Sequence, residues 1–218
     1  MAAREHFDSD LEEIRAAIIR MGEKVAEAIG LSVRALQEGD ANLARTVIER
    51  DPDINRMEMA IDELGTRLII AQQPVAKDLR RILIAFKIAS DLERMADLAV
   101  DIAQAACRFA PDGVPDNIGN LLRMAELVQR MTEESIAAFT SESLDLACKT
   151  AQMDDEADHL HNLNLQGLFG QVAANPGDIN NAMLLGFVSR YLERIGDHAT
   201  NIGEQVVYLV KGTRPDLN

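Results

Sequence analysis

The chain has 218 residues, enough for one or two domains with proper cores, and a 47% hydrophobic content excludes disorder. A formal net charge of −14 excludes broad electrostatic attraction to nucleic acid or to anionic lipid, because both present phosphate. Aromatics at 4%, the absence of Trp and the dominance of Ala, Leu, Ile, Glu, Arg and Met predict long helices rather than sheet.

The N-terminal MAAREHFDSD has no apolar signal region, and no apolar run approaches the ~18 residues of a membrane span. The chain therefore reads as cytosolic, without membrane insertion. Ser9 followed by Glu12 has the form of a capping box opening a first helix. Its apolar line, Leu11, Ile14, Ile18, Met21, Val25, Ala28, has the alternating spacing of a bundle seam. Gly39-Asp40 ends it near Gln37. A second helix carries Leu43, Val47, Ile54, Met57, Ile61, Leu64 and Leu68, and Pro74 is expected in the first turn of a third that runs to about Phe109. Cys107 and Cys148 fall in helical segments with no metal spacing, so both are expected as buried free thiols.

Residues 110–116, APDGVPD, form the clearest linker. The scheme then restarts. Leu121, Met124, Val128, Met131, Ser135 and Ala138 repeat the first line at a displacement of 110. A fifth helix is expected from about Ser143 to Ala173, a break at Asn175-Pro176-Gly177-Asp178, and a sixth helix to about Val210, closed by Gly212 and Pro215. The expected fold is all-α: two tandem, pseudo-two-fold-related three-helix bundles, over residues 7–110 and 116–213.

The third helix of each half carries the same box, DLERMADLAVDI from Asp91 and YLERIGDHATNI from Tyr191. Glu93 and Asp97 share one helix face, as do Glu193 and Asp197, and like charges at that spacing repel. The preceding helices offer matching sets: Asp51 and Asn55, with Glu58 and Asp62 beyond, and Asp154 and Asp158, with Asp155 and Glu156 nearby. Antiparallel packing would join each pair of ladders into a polyoxygen face beside small residues such as Ala96 and Gly196. Such oxygens are hard ligands for magnesium, calcium, manganese or iron, and a cation would relieve the repulsion. Acids four apart also occur on solvated faces, where Arg94 or Arg194 would neutralise them. Their recurrence in both halves favours the cation.

His159, His161 and His198 lie near the second set only, and no Glu-x-x-His motif of the ferritin-like kind occurs, so the histidines are expected at the surface or behind the ligands. No nucleophile stands with a base, and no phosphate-binding or dinucleotide glycine loop is present.

These features together resemble the PhoU family of phosphate-specific transport accessory proteins. The resemblance rests on QQPVAKDLR, Gln72 to Arg80, on SDLERMAD, Ser90 to Asp97, and on the second-half YLERIGDHATNI. The family's duplicated E(D)xxxD pattern falls on Asp51/Asn55, Glu93/Asp97, Asp154/Asp158 and Glu193/Asp197. Asn55 departs from it where an acid might stand, and QQPVAKDLR has no counterpart in the second half, where ANPGDINNA takes its place. The resemblance implies two three-helix bundles, often as a homodimer, with metal clusters (iron, manganese, zinc or magnesium) at those motifs. It implies a cytosolic negative regulator of phosphate uptake and of phosphate-responsive two-component signalling, not an enzyme. The implied partners are the ATPase subunit of the phosphate ABC transporter and the phosphate sensor histidine kinase. Two alternatives stay open: a di-metal carboxylate redox enzyme, and a metal-free structural scaffold.

Overall fold

A computed structural model describes residues 2–109 and 118–213. The expected linker, the domain boundaries at 110 and 116, and Pro215 lie outside the described residues. Within them are six long helices, one short 3-10 turn and no strand: α1 (Ala2–Glu38), α2 (Ala41–Gln72), α3 (Ala76–Phe109), α4 (Gly119–Ser141), α5 (Leu144–Ala174) and α6 (Ile179–Lys211), with the turn Pro176–Asp178 before α6.

The helix breaks follow local chemistry. Gly39 takes φ +65°, which only glycine adopts without strain, and Asp40 then caps α2 by accepting hydrogen bonds from the backbone N–H groups of Asn42 and Leu43. Ser143 caps α5 through Leu146 N–H. Two expectations are displaced. Ser9 does not open α1, which begins at Ala2 and runs through it without a break. Pro74 precedes α3: Gln73 turns left-handed, its N–H closing α2 on the Ile69 carbonyl, and the helix resumes only at Ala76. Pro52 sits inside α2, where it removes one N–H from the helix ladder beside Asp51. The thiols also differ from expectation, since Cys148 is exposed and Cys107 half-buried.

Helices α1, α2 and α3 pack on one another, as do α4, α5 and α6, and the two units join through α3 against α6 and α1 against α4. One apolar cluster runs through both units. Ile18, Met21, Ile88, Leu92, Val128 and Met131 are wholly buried, each contributing about 1.5–3 kcal/mol by removal from water. At the α1–α4 crossing Gly22 allows close approach, since a Cβ there would lie 2.6 Å from Ile136 Cγ1. The seam between units also carries polar ties. Lys77 and Arg81 each reach Glu142 at 2.9 Å, and Arg80 stacks over the Tyr208 ring at 5.2 Å. The basic residues of QQPVAKDLR and its neighbour Arg81 thus fasten the first unit to the second.

Candidate metal centres

The contact of α2 with α3 brings Asp51 beside Asp97 and Glu93, and the carboxylates feel one another. Burial, then repulsion from Asp97, pushes both the Asp51 and Glu93 carboxyls above their ordinary range. Glu58 and Asp101 are raised for the same two kinds of reason. Asn55 donates a long, 3.5 Å hydrogen bond to Asp51 Oδ2. That leaves Asp51 Oδ1 and Asn55 Oδ1 buried with no partner. A groove of about 380 Å³ opens here, lined by Asp51, Asp53, Ala96, Val47, Val100 and Lys24 among others.

The second unit repeats the arrangement with more charge. Asp154, on α5, faces Asp197, Asp158 and Glu193, and burial with this repulsion lifts its carboxyl to about 7. Glu193 and Asp197 are also raised, by burial first and then by Asp197 and Asp158 respectively. Glu193 Oε2 is buried without a partner. Gly196 makes room for this crowding: a Cβ there would stand 3.2 Å from Asp154 Oδ1.

All eight sequence-predicted residues therefore lie on the two facing pairs, Asp51, Asn55, Glu93 and Asp97 on α2 and α3, Asp154, Asp158, Glu193 and Asp197 on α5 and α6. Among the described residues, however, no group of three or more His, Cys, Asp or Glu side chains is arranged so that it could hold a metal ion as it stands. A cation would need side-chain rotation, amide oxygen or water to complete its shell, as hard divalent ions commonly do. Arginines partly offset the charge. Arg94 approaches Glu93 at 3.6 Å and Asp97 at 3.8 Å. In the second unit Arg190, rather than the expected Arg194, pairs with Glu193.

Of the three histidines named, His159 is exposed, while His161 and His198 each meet a side chain on α6 or α3. His161 Nδ1 meets the buried Ser189 hydroxyl at 2.9 Å, and burial keeps its pKa below the ordinary value. His198 Nδ1 meets Asp91 Oδ1 at 2.9 Å, tying α6 to α3. Sequence reasoning missed Arg190 and the Asp91 partner. Arg190 was findable, since it precedes Glu193 by one turn. Asp91 was not, because the pair crosses between units. Farther along the α5–α6 hairpin an apolar groove of about 550 Å³ lies open, with Phe169, Ile179, Met183 and Phe187 on its wall. No helix among the described residues is long and apolar enough to cross a membrane.

The comparisons agree with this duplicated architecture. The PhoU domain family model matches twice, over residues 18–106 and 121–206. A Clostridium acetobutylicum protein named as a phosphate-specific transport system accessory protein PhoU homolog is 37% identical over 99% of both chains. The Escherichia coli K12 accessory protein PhoU is 31% identical, over 94% of this chain and 86% of its own length. The crystal structure of PhoU from Pseudomonas aeruginosa superposes with a TM-score of 0.92 at 37% identity, covering 95% of this chain and 100% of that one. The phosphate transport system regulatory protein PhoU of Streptococcus pneumoniae gives 0.89 at 28% identity, covering 96% and 99%. With one family match per three-helix unit and full-length relatives above 30% identity, the chain belongs to the PhoU family.

Proposed function

We propose that the chain is a cytosolic accessory protein of a phosphate-specific transport system, an adaptor without catalytic activity that carries metal ions in its two acidic seams. The names of its relatives support the phosphate connection. The observation that carries the metal reading is the set of buried, unpartnered oxygens on Asp51, Asn55 and Glu193, all within those seams. Buried polar atoms are rarely left unpaired, and acceptor oxygens alone call for a cation or a water. The donors are oxygens only, which suits manganese, magnesium or iron better than zinc. When bound, a cation would neutralise the carboxylate repulsion and offer open positions to a partner's carboxylate or a phosphate oxygen.

In this reading Asp51, Asn55, Glu93 and Asp97 hold one metal and Asp154, Asp158, Glu193 and Asp197 the other. Each ion fixes its two helices in register. The chain, as a homodimer, contacts the transporter's ATPase subunit and the sensor histidine kinase, and it restrains both uptake and signalling when phosphate is plentiful. The exposed apolar groove on α5 and α6 suits such contacts. The test is elemental analysis of the Glu193→Ala, Asp197→Ala double variant and of its first-unit equivalent, alongside co-purification with the transporter from phosphate-replete cells. Each double variant should lose the metal of one seam, and undiminished metal in both would overturn the assignment.

The arginines favour a second reading, a metal-free scaffold whose acids are held by Arg94 and Arg190. Melting temperatures indifferent to Mn²⁺ and to chelator would establish it.

A further inference from the structure

The two units differ in a way that their shared acidic pattern hides. Where the first repeat has Val25, Val47 and Val100, the second has Ser135, Thr150 and Thr200. All three hydroxyl residues are fully buried. Ser135 and Thr150 donate to the helix carbonyls of Thr132 and Ala147, at 2.8 and 2.7 Å. Thr200 Oγ1 has no partner at all.

Its position is fixed by its neighbours on α6. Gly196 and Gly203 lie one turn to either side of Thr200 on the same face. A Cβ at Gly196 would meet Asp154 Oδ1 at 3.2 Å, and one at Gly203 would meet Thr150 Oγ1 at 2.7 Å. Thr200 therefore faces α5 between Thr150 and Asp154, at the inner end of the second acidic seam. Valine has the same shape and carries no polar group to desolvate, and valine is what the first unit uses there, beside the Asp51 groove. A hydroxyl kept buried and unpaired in this position costs stability unless something binds it. The local chemistry suits a water molecule, with the Thr200 hydroxyl, the free lone pairs of Thr150 and the Asp154 carboxylate as its partners. A hard divalent cation retains several waters when protein carboxylates bind it.

We propose that Thr200, assisted by Thr150, is a positioning residue for the second seam, holding an inner water of a hydrated divalent cation, so that this seam binds such a cation more tightly than the first. The inference rests on the metal reading above. Outer partners of metal ligands typically change affinity by about 10–100-fold when removed. The valine layer of the first unit offers no such partner.

Mn²⁺ titration calorimetry on the full chain tests it. The Glu93→Ala, Asp97→Ala background isolates the second seam, and the Glu193→Ala, Asp197→Ala background isolates the first. Thr200→Val should weaken Mn²⁺ binding by about tenfold or more in the second-seam background. The same change should leave the first seam unaltered. Thr200→Ser, which keeps the hydroxyl, should retain the affinity. Thr150→Val provides an independent variant and should weaken binding in the same seam. In chelator the melting temperature of Thr200→Val should hold or rise, because an unpaired hydroxyl has been removed. Unchanged Mn²⁺ affinity in Thr200→Val, or equal affinities of the two seams in the parent, would overturn the proposal while leaving the metal reading intact. Absence of Mn²⁺ binding to both seams of the parent chain would overturn both.

Discussion

Replacing Asp154 by Asn should stabilise the metal-free protein at alkaline pH, the reverse of what most buried substitutions do. The Asp154 carboxyl is lifted from the ordinary 3.8 to about 7, first by burial and then by Asp197, Asp158 and Glu193. The folded state therefore holds the proton more tightly than the unfolded chain. Stability falls as pH rises from about 4, and the loss is complete above about 7. At 1.36 kcal/mol per tenfold in proton affinity, the shift corresponds to ~4 kcal/mol as an upper limit. Glu193 and Asp197 are raised by the same mutual repulsion, so the share released by one substitution is smaller, about 1–3 kcal/mol. Urea unfolding followed by helical circular dichroism, in chelator at pH 4 and pH 8, should show Asp154→Asn more stable than the parent at pH 8 and equal to it at pH 4. Saturating Mn²⁺ should reverse the order. At a hundred times its dissociation constant a ligand adds ~2.7 kcal/mol to the parent, and the variant, short of one charged donor, should gain less. A variant destabilised in chelator at pH 8 would refute the electrostatic argument. Equal Mn²⁺ stabilisation of variant and parent would remove Asp154 from the ligand set.

Asn55→Asp, which gives the first unit the residue found at Asp158, should lower the unfolding free energy measured by urea in chelator by about 0.2–0.5 kcal/mol through like-charge repulsion. It should also raise Mn²⁺ affinity in calorimetry, and a fall in affinity would count against Asn55 as a ligand. Gly203→Ala places a Cβ 2.7 Å from Thr150 Oγ1 and 3.1 Å from the Ala147 carbonyl oxygen, so it should destabilise by about 1–3 kcal/mol despite the better helix propensity of Ala. A more stable Gly203→Ala would show that α5 and α6 separate freely. A double-mutant cycle between His198→Leu and Asp91→Asn should return a coupling of about 0.5–1.5 kcal/mol for the hydrogen bond across the units. Zero coupling would make that contact incidental.

The fold was legible because each helix repeats its apolar positions at bundle spacing over many turns, and because the second half repeats the first. Ile18 and Val128 hold equivalent places and both are fully buried. Helix ends were less legible where the signal was local. Ser9 and Glu12 have the form of a cap, but the apolar face of α1 extends upstream to Phe7, which is buried, and packing carries the helix past them. The acidic pairs were legible for the same reason as the core, since a spacing of four fixes a shared face. The contacts between units were not. Asp91 with His198, and Glu142 with Lys77 and Arg81, join residues far apart in sequence, and nothing in the helical period of either partner announces the other. The valine-to-hydroxyl exchange at Val47/Thr150 and Val100/Thr200 was present in the repeat. It carried no meaning until Thr200 was found buried without a partner.

The distribution of compensating charge separates two kinds of acid in this molecule. Glu142 lies between Lys77 and Arg81 on the seam joining the units. Although burial acts to raise it, hydrogen bonds from those two cations bring its carboxyl below the ordinary range. Asp51, Glu58, Glu93 and Asp101 in the first unit, and Asp154, Glu193 and Asp197 in the second, shift the other way. The nearby arginines do not reverse that direction. A carboxylate whose work is to fasten helices is best given a cation of its own, and Glu142 has two. A carboxylate held close to others on a packed seam raises the energy of the metal-free fold. Seven such groups, arranged twice on equivalent helices, make sense if the charge that balances them comes from outside the chain. In the proposed metal reading, the repulsion that weakens the metal-free protein is also a source of affinity for a cation, because an ion bound in one seam relieves the repulsions within that seam.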